Sequence, residues 1–364
     1  MTVRLGATFV AGAACGVALW LASQGWRARR RRGRADLALQ PRLVGALGGL
    51  GPKATVAWYD SVVVARVRLF AAMAAAASRG GGRASPDELL EAVQAASTAD
   101  WTAHEVAQVW SRRVDREKLR DQDHCAVIIY SNPTVPGRPE FMSGHSAADP
   151  APALEATAQA LADAGASALC IVCSTAHYFK DRAIAPVLAR TGVDFLDMIE
   201  LTLERVARSV PRARGERLRV GLLGTEPMLR FRVYETACQR WLERRRAQGD
   251  ELELEMLTPL TVAGGEQANF SEAIFGDKGV KAGFDSDLTC PHTRRNFDLL
   301  AGEVLRLVDA GVKALILGCT ELPLLIREET LRSHARAGVA DHLVLVNPAD
   351  VLADEVVRYS LVCR

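Results

Sequence analysis

The chain has 364 residues, 49% of them apolar, 24% charged, with a formal net charge of +2 at pH 7. That length and apolar content suffice for a substantial core and for two domains of ordinary size, so a globular enzyme is the default reading. Seven of the 45 basic residues fall in residues 1–34, which hold no acid; the remainder carries 38 basic against 43 acidic residues, which argues against a nucleic-acid surface.

The eight cysteines are scattered along the chain, unlike those of a secreted disulfide scaffold, and suit a reducing compartment. Cys170 and Cys173 form a Cys-x-x-Cys, but they lie on a predicted strand, where residues three apart point to opposite faces. No second such pair completes a four-ligand zinc site, and no metal is expected.

Leu5 to Ala22 is an apolar run followed by Arg27, Arg29, Arg30, Arg31, Arg32 and Arg34. It is barely long enough to span a bilayer. As a membrane tether it would leave the arginine side, and the enzyme, facing the cytosol; an acid-free Ala/Arg-rich start also suits an organelle-targeting peptide. Residues 1–40 are therefore set apart from the fold.

Leu43 to Leu47 reads as a buried strand, and Gly48-Gly-Leu-Gly-Pro52 as the turn into a helix. Gly49-x-Gly51-x-x-Ala54 satisfies the dinucleotide fingerprint, but no second strand ending in an acid follows, so a turn presenting helix N–H groups to a small anion is expected instead. Ser85-Pro-Asp-Glu88 is a capping box opening a helix to about Ser97, and a second helix is predicted from Trp101 to Leu119. Together they form a helical insertion at about residues 71–120, expected to be peripheral and to serve as a lid or an oligomer contact.

A strand from Ala126 to Tyr130 leads into Ser131-Asn-Pro-Thr-Val-Pro-Gly-Arg138-Pro, at the carboxyl end where open α/β sheets bind ligands. Arg138, between two prolines, suits bidentate capture of a carboxylate; a solvated loop arginine is the other reading. A helix from Pro152 to Gly165 precedes the strand that ends in Cys173. Val193 to Asp197 is a further strand, followed by a helix. Leu229 to Ala247 is predicted as one helix and Leu252 to Leu257 as a strand, and Gly264 to Gly283 holds a short helix with Lys278 and Lys281. Lys281 is either a carboxylate ligand or an exposed lysine. Arg294 to Ala310 is an amphipathic helix into the strand that ends in Cys319, and Leu343 to Val346 and Ala349 to Leu361 are a last strand and helix.

Two features recur in the same order. Val44-Gly-Ala-Leu-Gly48 returns as Val220-Gly-Leu-Leu-Gly224, and Ala164-Gly-Ala-Ser-Ala-Leu-Cys-Ile-Val-Cys173-Ser-Thr as Ala310-Gly-Val-Lys-Ala-Leu-Ile-Leu-Gly-Cys319-Thr-Glu. This predicts a duplicated half-domain. The expected division is residues 41–198, with the insertion, completed by 343–364, as one half, and 199–342 as the other.

A cysteine where a strand meets a helix should feel the helix N-terminus, which lowers the thiol pKa. If the halves face each other, one thiolate can take a proton from a carbon and the other, as thiol, can deliver one to the opposite face. A stereocentre is then inverted without a cofactor, provided a bound carboxylate disperses the charge. Burial as an inert core residue is the commoner fate of cysteine. Ser174-Thr175 and Thr320-Glu321 nevertheless make each strand end polar.

These motifs resemble the aspartate/glutamate racemase family of the aspartate/glutamate/hydantoin racemase superfamily, over about residues 42–360. Leu47-Gly-Gly-Leu-Gly-Pro-Lys-Ala-Thr55, Asp121-Gln-Asp-His, Ser131-Asn-Pro with Val135-Pro-Gly-Arg138, Cys173-Ser-Thr-Ala-His177, Gly318-Cys-Thr-Glu-Leu-Pro323 and Asn347-Pro-Ala-Asp carry the resemblance. It implies two similar α/β domains with parallel sheets flanked by helices, related by a pseudo-twofold with the site in the cleft between them, and commonly a homodimer. It implies Cys173 and Cys319 as the acid/base pair, no cofactor, and a small amino acid or dicarboxylate as ligand. Arg138 would recognise the substrate's carboxylate, with Lys281 as the matching lysine, and Thr175 and Thr320 would help hold the α-carboxylate. Ser174, Gly49, Ser131, Asn132 and Thr225 complete the candidate substrate-binding set. Aspartate is the first expected substrate and glutamate the second; a dicarboxylate cis–trans isomerase, a hydantoin racemase and a non-catalytic ligand-binding relative are the alternatives. Three positions depart from the family pattern: Ser174 stands for asparagine, Met228 replaces a hydroxyl residue in the second turn, and Gly137 and Pro139 alter the setting of Arg138.

Overall fold

The structure is a computed structural model that describes residues 42–79, 84–111, 118–211, 216–333 and 342–362. The expected tether or targeting segment lies outside the described residues, as does the charged stretch 212–215.

The first half opens with β1 (Val44–Gly48) and the long α1 (Pro52–Arg79), continues through α2 (Pro86–Ala96) and α3 (Ala103–Ser111), and returns to the sheet as β2 (Val127–Ser131). Short α4 (Arg138–Met142) and α5 (Ala151–Asp163) precede β3 (Ala168–Ile171). A 3₁₀ turn and a π turn then lead through α6 (Ala185–Thr191) to β4 (Asp194–Leu196) and α7 (Met198–Ser209). The second half holds β5 (Leu218–Leu223), α8 (Glu226–Arg230), α9 (Val233–Ala247), β6 (Leu254–Leu257), α10 (Gln267–Phe275), α11 (Pro291–Asp309) and β7 (Ala314–Leu317). It is followed by α12 (Glu328–Arg332), β8 (Val344–Val346) and α13 (Pro348–Leu361).

Both sheets are parallel and share one strand order, β2-β1-β3-β4 in the first and β6-β5-β7-β8 in the second. Register follows the sequence repeat: Val44 sits beside Ala168, and Val220 beside Ala314. The repeated motifs are thus two copies of one α/β unit. Because parallel strands are covered on both faces, their residues alternate between two cores. Val44, Ala46, Ala168 and Cys170 join the cluster of α1 and α13, whereas Leu47, Leu169, Ile171 and Cys173 join a cluster that also takes Val220, Leu222 and Ile316 from the second sheet. Cys170 and Cys173 therefore part to opposite faces, as strand geometry requires.

By length and composition α1 could cross a membrane, yet Trp58, Val62, Leu69 and Met73 on one face of it are buried at 2% exposure or less. Each such side chain contributes about 1.5–3 kcal/mol. Part of its cover comes from the insertion, whose Leu89, Val93, Val106 and Trp110 belong to the same cluster. Ser85 and Glu88 form the expected capping box. No residue of α2 or α3 lines the cysteine cavity described below. The insertion's fastening is polar. Asp354 of α13 accepts Thr98 N and Thr98 Oγ1, both at 2.6 Å, and pairs with Arg68 Nη2 at 2.6 Å.

Three sequence expectations are corrected. Residues 343–364 do not all complete the first half: β8 pairs with β7, while α13 returns to pack on α1. The single helix expected over 229–247 is two helices, because Arg232 takes a left-handed φ of 54° that interrupts the helical ladder. The helix predicted to reach Leu119 is described over Ala103–Ser111; residues 112–117 lie outside the described residues, and 118–120 are not helical.

Removing the Asp354 carboxylate leaves the part-buried Thr98 N–H without its acceptor. Asp354→Ala should lower the unfolding free energy by about 3 kcal/mol in urea titration. A loss below about 1 kcal/mol would show that the insertion is held by its apolar contacts alone.

Candidate active site

Cys173 and Cys319 occupy equivalent places, each just beyond a central strand of its own sheet. Both are buried, at 8% and 7% exposure, and both line one cavity of about 230 Å³. Arg138, Ser174 and Thr175 reach it from the first half, and Thr225, Lys281, Thr320 and Glu321 from the second. The volume suits a ligand of amino-acid size and is below the range that holds drug-sized ligands. A larger concavity of about 770 Å³, between α1 and the segment beyond Thr320, contains neither thiol, neither Arg138 nor Lys281, so size alone does not mark the site.

Lys281, in a 3₁₀ turn over Val280–Ala282, pairs with Glu321 Oε1, while Glu321 Oε2 accepts hydrogen bonds from Cys319 Sγ and Thr320 Oγ1, each at 3.1 Å. Burial works to lower the Lys281 pKa, but Glu321, Cys319 and Cys173 outweigh it, and the net shift is upward. The ammonium is thus held charged within the field of both sulfurs. Burial and then the Glu321 carboxylate push the Cys319 thiol well above its ordinary value, against the opposing pull of Lys281.

That direction overturns the expectation of a helix-activated thiol at Cys319. Its strand is followed by a 3₁₀ turn over Leu322–Leu324, and Cys173 likewise by a 3₁₀ helix over Thr175–Phe179. Such short pieces sum few peptide dipoles, whereas a carboxylate hydrogen-bonded to the sulfur acts at full charge. Cys319 accordingly rests as a thiol that donates to Glu321.

Arg138 stands at the first position of α4 and lines the cavity. Its Nη2 donates to Leu50 O and its Nη1 to Pro136 O at 3.4 Å, and its buried Nε has no hydrogen-bond partner. Thr175 Oγ1 and Thr225 Oγ1 meet at 3.2 Å across the two halves. Ser174 Oγ meets Tyr234 Oη at 3.3 Å, so the serine that departs from the family pattern is bonded to α9. Met228 is fully buried and lies against Gly224 and Gly318, where it supplies apolar packing beside the Cys319 strand end.

Gly49, Ser131 and Asn132 are not brought to the cavity. Gly49 has φ +79°, and a Cβ there would stand 2.4 Å from Asn132 N, so glycine is required for the close approach of two chain segments. Asn132 Nδ2 donates to Thr157 Oγ1 at 2.9 Å, and Ser131 is exposed at the end of β2. Gly51 of the apparent dinucleotide motif has another use: a Cβ on it would fall 2.6 Å from Glu321 Oε1, so the absent side chain admits that carboxylate to the start of α1.

Sequence reasoning notes Glu321 only as a polar neighbour of Cys319 and assigns it no role in the site. An acid two residues beyond a candidate thiol is the signal that could have found it. Glu140 and Phe275 also line the cavity, and Lys281 Nζ lies 5.5 Å from the Phe275 ring centre. Among the described residues no group of three His, Cys, Asp or Glu side chains is placed to hold a metal ion.

Known proteins give two comparisons. The family profile of Asp/Glu/Hydantoin racemase matches residues 93–277, a span that takes in Arg138 and Cys173 and stops short of Lys281 and Cys319. Among solved structures, the chain is similar to Picrophilus torridus aspartate racemase, with 19% identity, 88% of this chain and 94% of that chain covered, and a TM-score of 0.52. It is also similar to a protein of Yersinia pestis described as an Asp/Glu racemase, with 15% identity, coverage of 88% and 99%, and a TM-score of 0.52. Both likenesses are of fold.

Because its pKa is raised, Cys319 should resist alkylation at neutral pH. Iodoacetamide labelling followed by peptide mass spectrometry should show its rate rising only above the ordinary thiol value of 9.0, with the midpoint lowered in Glu321→Gln. A wild-type midpoint at or below 9.0 would contradict the assignment of Cys319 as the resting thiol.

Proposed function

Since the chain belongs to the Asp/Glu/hydantoin racemase family, we propose that it is a cofactor-independent racemase of a small acidic amino acid, aspartate ahead of glutamate, with Cys173 and Cys319 as the two proton carriers. The observation that supports this most directly is the single small cavity that both thiols line, beside a lysine charged in the field of both.

In this reading the substrate α-carboxylate lies among Thr175, Thr225 and Thr320, which line the cavity from both halves. Arg138 receives the distal carboxylate, for which its unpartnered Nε offers a donor. Cys173, as thiolate, removes the proton from Cα; the electron pair of the broken C–H bond spreads into the α-carboxylate, whose charge Lys281 stabilises. Cys319 gives its proton to the opposite face of Cα, so one C–H bond is broken and one made, and the configuration inverts. Cys173 then carries the proton and Cys319 the negative charge. Exchange with water restores the starting form, and the reverse reaction runs with the roles exchanged.

Glu321 has a positioning part. It keeps Cys319 protonated before the transfer, and its pairing with Lys281 prevents that ammonium from fixing a Cys319 thiolate. Retention of both thiols favours racemisation over reactions of the same family that need one.

Incubation with L-aspartate in D₂O under reducing conditions, without pyridoxal phosphate, should give D-aspartate with deuterium at Cα, and L-glutamate should react more slowly. No exchange with either amino acid would overturn the reading. Cys173→Ser and Cys319→Ser should each lower kcat by about 10³-fold, within the range ascribed to a positioned acid or base. Full activity in either variant would overturn the two-thiol mechanism.

A further inference from the structure

A second cavity, of about 210 Å³, shares no lining residue with the thiol cavity. Its walls come from the turn after Cys173, from the start of α7, from Phe231 just beyond α8, and from α9, so both halves contribute. His177 connects it to the thiol loop. The imidazole Nδ1 lies 2.9 Å from the carbonyl oxygen of Cys173. A carbonyl can only accept, so Nδ1 carries the ring proton, and Nε2 of the neutral ring is a bare acceptor. Burial, aided by Lys180, holds this imidazole below its ordinary value of 6.5 against Asp197 and the Cys173 carbonyl, which keeps it neutral at pH 7.

The His177 side chain is 3% exposed, and its Nε2 is buried without a hydrogen-bond partner. The atom facing it is a second acceptor, Asp197 Oδ1, at 3.7 Å. Asp197 already accepts Ile199 N and Glu200 N through Oδ1, at 3.0 and 3.3 Å, and Lys180 Nζ through Oδ2, at 2.7 Å. Two buried acceptors at that separation are satisfied by a group that carries several hydrogens and places one on each.

Charge and shape narrow the group further. The walls hold Asp181, Asp197 and Glu200 against Lys180 and Arg240, an excess of one negative charge. Arg240 pairs with Asp181 at 3.2 Å, and Arg244, from outside the walls, pairs with Glu200 at 2.8 Å. These outer pairs are half exposed and screened by water, whereas Asp197 is buried between the imidazole and Lys180, its ion-pair partner at 2.7 Å. Tyr178 and Phe231 meet edge to face at 5.2 Å, both partly exposed, and Val233 and Ala237 continue the apolar side. We infer that this cavity binds a small organic molecule with a primary ammonium group, which donates to His177 Nε2 and Asp197 and lays its alkyl part against Tyr178 and Phe231. The ring that takes the ammonium also holds the Cys173 carbonyl, so occupancy bears on the thiol loop.

The test is a titration of the full chain, labelled with ¹⁵N-histidine, with ethylammonium chloride at pH 7.5, following the imidazole nitrogens by long-range ¹H–¹⁵N correlation. The Nε2 signal of His177 should shift saturably away from that of a bare acceptor, while equal concentrations of sodium chloride or ethanol leave it in place. Asp197→Asn, which keeps an N-cap for α7, should weaken binding about tenfold or more. The inference is overturned by the absence of a saturable shift, by the same shift with sodium chloride or ethanol, or by unchanged affinity in Asp197→Asn. Should that variant fail to fold, the wild-type titration decides by itself. The readout is binding and needs no turnover, so its failure is distinct from failure of the racemase reading.

Discussion

Parallel pairing is the constraint on which the remaining structure depends. When all four strands of a sheet run the same way, their carboxyl ends gather along one edge, and every loop that leaves a strand there can reach a common point. Two sheets with the same strand order, packed through a shared core, double this arrangement. Cys173 and Cys319 come to one cavity because each follows a central strand of its own sheet. Arg138 arrives on the loop beyond β2, and Thr225 on the loop beyond β5, for the same reason.

Within that frame the electrostatics are set by one buried carboxylate. Glu321 neutralises Lys281, accepts from Cys319 and Thr320, and rests against Gly51. The repeat renders the two thiols alike in sequence, and a buried ammonium beside Cys319 pulls that thiol downward. The carboxylate breaks that symmetry. It raises the thiol of Cys319, which donates to it, whereas among the described residues no carboxylate is hydrogen-bonded to the Cys173 sulfur; the Cys173 carbonyl is held by His177 instead.

Much of the fold was legible because parallel β/α units write themselves in short apolar runs punctuated by glycine and proline. The repeat of Val-Gly-x-Leu-Gly and of the cysteine motif located both sheets. The errors fall where local pattern and tertiary geometry separate. Nothing between residues 229 and 247 marks Arg232 as left-handed, since arginine there satisfies a helical pattern as well as any residue. Nothing in Leu343 to Val346 says which sheet it joins, because an edge strand takes the partner its preceding loop can reach.

The site shows the same division. Sequence alone determined that two thiols stand at equivalent strand ends and that Arg138 lies beyond the carboxyl end of a strand, because residue order and strand direction suffice for that; Thr175, Thr225 and Lys281 came from the family resemblance. Only the tertiary structure decided that Glu321 turns inward between Lys281 and Cys319, that Cys319 is pushed up rather than down, and that Gly49, Ser131 and Asn132 serve the backbone around β1 and β2. The physical reason is that a pKa and a hydrogen bond depend on distances between residues remote in sequence, such as the 40 positions that separate Lys281 from Glu321.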